Sequence, residues 1–123
     1  MIKQETNFNY VYKNIIANSF FTERQIYIIS KRLIGKNRVE NISSGAYYRQ
    51  LKQCQDKVIS LLYSILLLRS IRAVDEQALS IIDGLADQIA VMLHTENSDI
   101  NAKENVQSVI SVMEQIIKRM SQV

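Results

Sequence analysis

Residues 44–72 read SGAYYRQLKQCQDKVISLLYSILLLRSIR, and where the apolar side chains fall in this stretch decides the fold. Tyr47, Leu51, Cys54, Val58, Leu61, Ile65 and Leu68 recur at alternating intervals of four and three. A helix of 3.6 residues per turn stacks such positions on one side, whereas a strand would scatter them over both faces. The spacing therefore predicts one long central helix over about 44–72, with Ser43 or Ser44 as its N-cap. Its two halves differ. The first is amphipathic, with Tyr48, Arg49, Lys52, Gln53, Asp56 and Lys57 off the seam. The second, Ile59 to Ile71, is apolar on most sides and calls for several covering neighbours or a second subunit.

Upstream, Thr22-Glu23-Arg24-Gln25 has the form of a capping box, in which the Thr22 hydroxyl accepts from the Gln25 N–H while the Gln25 side chain reaches back. Phe21 and Ile26 are spaced to form a hydrophobic staple across it. A helix is expected from Glu23 to Gly35, burying Ile26, Ile29, Leu33 and Tyr27. Before it, Asn7 to Phe21 has a looser helical face around Tyr10, Val11, Ile15 and Ile16. Downstream, a helix over Val74 to Leu93 would turn Val74, Ala78, Ile81, Ile82, Leu85, Ile89 and Met92 inward. Asp99 could cap a last helix whose inner face is Val106, Val109, Met113, Ile116 and Met120, widened by Ile110 and Ile117.

The chain has no proline and three glycines, Gly35, Gly45 and Gly84, too few breakers for a strand-rich fold. The expected class is all-α: a bundle of four main helices plus an N-terminal segment, with a C-terminal acidic hairpin packed on the central helix. At 123 residues it reads as one domain with a core of useful size. Gly84, inside a helix, would permit close packing. Cys54 is the only cysteine and has no partner for an intramolecular bridge, which suits a reducing, cytoplasmic location. Met1 to Asn9 is polar and lacks the apolar run of a secretory signal. The apolar stretch Val58 to Ile71 falls short of the roughly twenty residues a membrane span needs, so no membrane partner is expected.

Charge divides the chain. Residues 1–72 carry twelve Lys and Arg against four acids, a net of +8, while residues 73–123 carry three against eight, a net of −5. Such asymmetry suggests a half that faces a polyanion and a half devoted to packing or oligomerisation. Arg24, Lys31, Arg32, Lys36, Arg38, Arg49, Lys52 and Lys57 crowd one stretch, with Glu23, Glu40 and Asp56 as its acids. Arginine and lysine neutralise phosphates, and a helix entering a groove needs small residues at its start and long polar donors on its outer face. Ser44, Tyr48, Arg49 and Gln53 supply those types, with Arg49 able to read a guanine edge and Gln50 or Gln53 an adenine edge. A solvated basic face is the alternative reading of the same residues.

The stretch from Phe20 to Val58 resembles the helix-turn-helix region of LuxR-type regulators and, more distantly, region 4 of sigma factors. The resemblance lies in Phe21-Thr22-Glu23-Arg24-Gln25, in Ile26, Ile29, Leu33 and Gly35, and in Ile42-Ser43 followed by Ala46, Tyr47, Tyr48, Gln50, Cys54, Lys57 and Val58. It implies DNA binding through the helix that follows Ile42-Ser43. Only Lys36 to Asn41 separate Gly35 from that pair, so the family's scaffold helix is shortened or missing.

Catalytic chemistry finds few candidates. His94 is the only histidine and fits a helix C-terminus. One Cys and one His cannot make a Cys- or His-based metal site in a single chain. Asp83 and Asp87 read as a solvated acidic stripe, and no glycine-rich phosphate loop occurs. The sequence thus leads to a non-enzymatic DNA-binding protein without cofactor or metal, a homodimer and transcriptional regulator, with RNA as a possible nucleic acid in place of DNA. The acidic hairpin could engage a protein partner. The competing reading is a helical adaptor or assembly subunit of a larger complex.

Overall fold

Among the described residues the chain forms five α-helices: α1 (Tyr10–Ala17), α2 (Glu23–Leu33), α3 (Ser44–Ser70), α4 (Ala78–Leu93) and α5 (Ala102–Met120). This computed structural model describes residues 10–35, 42–93 and 102–123, without the side chains at 92, 93 and 102–105. The class is all-α, as the periodicity predicts. Lys36, Arg38, His94 and Asp99 lie outside the described residues. The chain forms two compact units, one holding the described residues of 15–63 and the other those of 10–14 and 64–123; α3 begins in the first and ends in the second.

In the first unit, α2 begins where the capping box places it. Thr22 Oγ1 accepts from the Gln25 N–H at 3.1 Å, and Gln25 Oε1 accepts from the Thr22 N–H at 3.0 Å. Two donors that the first helical turn leaves orphaned are thereby satisfied. At the other end Gly35 takes a φ of 91° and donates to the Arg32 carbonyl, the left-handed stop that glycine makes without a Cβ clash. α3 is capped by Ser43, whose hydroxyl accepts from the Ala46 N–H. The core of this unit is Ile28, Tyr47, Leu51 and Cys54, with Tyr27, Ile29 and Ile42 packed against it.

That core corrects the expected inward face of α2. Ile28 is fully buried, Ile26 and Ile29 are half-buried, and Leu33 is exposed. Ile26, Tyr27, Ile28 and Ile29 surround the helix, so spacing alone cannot choose among them. The rotation is set by Gln25, which is bonded to Lys57 of α3 at 2.9 Å and whose carbonyl accepts from Cys54 Sγ at 3.8 Å. Ile28, three residues on, shares Gln25's side of the helix and therefore meets α3.

In the second unit the α3–α4 connection and the end of α5 hold one another. Arg72 donates to the Arg69 carbonyl and Ala73 to the Leu68 carbonyl, a Schellman closure of α3 with Arg72 at a φ of 62° where glycine is usual. Val74 then pairs with Ser121 in an isolated antiparallel bridge, through Asp75 N–H to the Met120 carbonyl and Gln122 N–H to the Ala73 carbonyl. The Arg69 guanidinium donates to the Val74 carbonyl at 2.7 Å. Backbone committed to that bridge cannot be helical, so α4 starts at Ala78 and not at Val74. Asp75 prepares the start by accepting from the Gln77 N–H at 2.8 Å.

Among the described residues, Val11, Ala78, Ile89, Val106, Met113 and Met120 are the buried apolar side chains of this unit. Leu85, Val109, Ile110 and Ile116 are half-buried, whereas Ile81, Ile82 and Ile117, expected inside, are exposed. The stripes of α4 and α5 are wider than the surface this unit offers them. Gly84 has open space where a Cβ would stand, so it serves no close helix approach.

Two stability outcomes follow from these ends. Thr22→Ala should lower the free energy of unfolding by about 1 kcal/mol in urea titrations, since it removes one half of the capping box. Arg72→Gly should raise it by about 0.5–1 kcal/mol, because relief of the left-handed side-chain clash outweighs the entropy glycine adds to the unfolded chain.

Candidate nucleic-acid interface

The first half of α3 is fixed from behind. Tyr47, Leu51 and Cys54 are buried at i, i+4 and i+7, so the residues about half a turn away from them must face outward. Ser44, Tyr48, Arg49, Lys52, Gln53 and Asp56 are all exposed. At 100° per residue, Tyr48, Arg49, Lys52 and Asp56 fall within about 100° of one another, with Ser44 and Gln53 at the margins. One helical surface thus collects an aromatic ring, two cations and a carboxamide.

Electrostatics leaves this surface available. Lys52 Nζ lies 2.9 Å from Asp56 Oδ1, but both side chains are mostly in water and the lysine precedes the acid, the weaker order for an i, i+4 pair. Such a pair contributes about 0.3–0.5 kcal/mol at most, so a phosphate could displace Asp56 from Lys52. Tyr48 packs edge-on against Tyr47, with ring centroids 5.1 Å apart at 71°, and keeps half its surface open. Its ring is therefore partly oriented before any partner arrives.

The other predicted residues are distributed differently. Arg32 is exposed near the end of α2. Lys31 is half-buried with its ammonium 5.3 Å from the centre of the Tyr27 ring, and Arg24 is half-buried on the same helix. Lys57 is turned to internal use. Its ammonium donates to the Phe20 carbonyl and to Gln25 Oε1 and lies 5.5 Å from the centre of the Phe21 ring. It fastens α3 to the start of α2 and has little donor capacity left for a ligand. The structural part played by Gln25 is invisible in sequence beyond its place in the capping box.

Behind the surface lie two polar groups without a hydrogen-bond partner among the described residues, Tyr47 Oη and Gln50 Oε1. Cys54 is a free, buried thiol. Burial pushes its pKa up, and the nearby Lys57 ammonium offsets part of that rise. Among the described residues no three His, Cys, Asp or Glu side chains gather as a metal site, and no helix is long and apolar enough to cross a membrane.

Comparison with protein-family models, with curated proteins and with solved structures finds no match to this chain. The resemblance to helix-turn-helix regions accordingly rests on the quoted residues alone. Within that stretch, residues 34–43 connect α2 to α3, and α3 runs on for 27 residues.

The thiol offers a direct check on this packing. Because Cys54 is buried and its pKa is pushed up, its reaction with a thiol-specific reagent at pH 8 should be slow in buffer and fast in denaturing urea. The sign of the shift also fixes a pH dependence. A raised folded pKa favours the neutral thiol, so its contribution is complete below the unfolded pKa and is lost as pH rises beyond about 8.5.

Proposed function

We propose that this chain is a non-enzymatic nucleic-acid-binding protein that presents the outer face of the first half of α3 to DNA. The observation that carries the reading is the exposure of Tyr48, Arg49, Lys52 and Gln53 together on one side of a helix whose opposite side is anchored by Tyr47, Leu51 and Cys54. An α-helix fits the major groove of B-form DNA, whereas the major groove of A-form RNA is too deep and narrow for side chains to read. Duplex DNA is therefore favoured over RNA.

In this reading Arg49, Lys52 and Arg32 neutralise phosphates and release counterions, which supplies most of the affinity. Lys36 and Arg38 add charge from the same sequence region. Arg49 and Gln53 carry the fork and the amide that match guanine and adenine edges, and Tyr48 offers a ring or a hydroxyl to the backbone. Ser44, at the first turn, is small enough to let the helix start approach. Regulation of transcription by a dimer in a reducing interior is the biological form that we attach to this chemistry.

Binding to random duplex DNA should weaken steeply as salt rises from 50 to 200 mM, as expected for several phosphate contacts. Arg49→Ala should cost on the order of 1–3 kcal/mol and flatten the salt dependence, without changing the circular dichroism spectrum. Absence of binding to duplex and single strands at the lowest salt would remove the reading.

A further inference from the structure

The outer face of α3 changes chemistry halfway along. Beyond Lys52 and Asp56 it continues through Ile59, Leu62, Tyr63, Leu66 and Leu67, each between 52 and 70% exposed. These five fall within an arc of about 140°, on the side of the helix away from Leu61, Ile65 and Leu68. All belong to one continuous helix, so their alignment on one face is a property of α3 alone. No charged residue occurs from Val58 to Leu68.

We infer that this stripe is a self-association surface, and that a second copy of the chain docks on it with the two α3 helices antiparallel about Tyr63. Area is the first argument. With Val58 and Ile71 at its margins, the stripe leaves seven large apolar side chains between 38 and 70% exposed on each chain. A contiguous apolar face of that extent reaches the upper end of the roughly 300–600 Å² of the largest apolar patch on a typical monomer, the size that marks an interaction site. Pattern is the second. Ile59, Leu62 and Leu66 follow the three-and-four spacing of a helix-pairing seam, and a surface without charges has nothing to repel its own copy.

Charge also chooses the direction. A parallel pair would set Arg49 and Lys52 of one copy beside the same cations of the other, and like charges at close range oppose association. An antiparallel pair moves them to opposite ends. Lys52 lies eleven residues from Tyr63, so at 1.5 Å per residue the two Lys52 positions would stand about 33 Å apart along the pair. That is close to one turn of DNA, the separation at which paired half-sites recur. The pairing does not depend on nucleic-acid binding, but it would give the basic surfaces a fixed spacing.

Sedimentation of the full chain across about 1–100 µM, the weak end of the affinities that such interfaces show, should give twice the 14.2 kDa chain mass at the upper end. A variant combining Leu62→Glu with Leu66→Glu should sediment as a single chain and keep its helical spectrum, because both side chains are exposed in the isolated fold. Tyr63→Cys should cross-link to itself under mild oxidation, and Lys52→Cys should not. A wild-type chain that stays at 14.2 kDa, including one that instead binds lipid vesicles, would overturn the proposal. So would a double variant that remains dimeric, and cross-linking at both positions would overturn the antiparallel arrangement. DNA binding by a monomeric double variant would leave the functional reading intact while the dimer is tested separately.

Discussion

The Lys57 ammonium holds the first unit in register. It reaches the Phe20 carbonyl and Gln25 Oε1 at the start of α2, where the Gln25 side chain already closes the capping box. One glutamine oxygen therefore serves two donors, one that begins a helix and one that ties that helix to another. From this tie follows the rotation of α2, which brings Ile28 onto Tyr47, Leu51 and Cys54. With that side of α3 buried, the face bearing Tyr48, Arg49 and Lys52 has to look outward.

A single helix then carries two kinds of outer surface. Its early turns expose cations and polar donors, which are cheap to leave in water and suited to an anionic partner. Its later turns expose Ile59, Leu62, Tyr63, Leu66 and Leu67, whose hydration is unfavourable by roughly 25 cal/mol per Å². Among the described residues nothing covers that second surface. The two faces lie on the same side of the same helix, so whatever covers the apolar turns also sets the geometry in which the basic turns are presented.

Much of the local structure is legible before any coordinates. Thr22 and Gln25 announce the start of α2, Gly35 its end and Ser43 the start of α3, because each signal acts within one turn of backbone. The seam from Tyr47 to Leu68 identifies α3 as a helix, yet its residues are not equally buried: Tyr47, Leu51 and Cys54 are enclosed, while Val58 and Leu68 remain partly open. Periodicity reports which residues share a face and says nothing of whether a neighbour covers it. The start of α4 is missed for a related reason. Val74 belongs to an apolar period, but Ser121, far off in sequence, claims its backbone.

The candidate interface divides in the same way. Sequence by itself determined the all-helical class, the helix caps, the concentration of charge in the first half and the outward positions of Arg49, Lys52 and Gln53, since these depend on composition and on spacing within one helix. Only the tertiary structure decided that Lys57 is consumed internally, that Lys31 lies against Tyr27 and that the later turns of α3 stay bare. Those outcomes turn on which side chains from separate helices meet, and a ring, a carbonyl and a carboxamide converge on one ammonium through packing that no local pattern encodes.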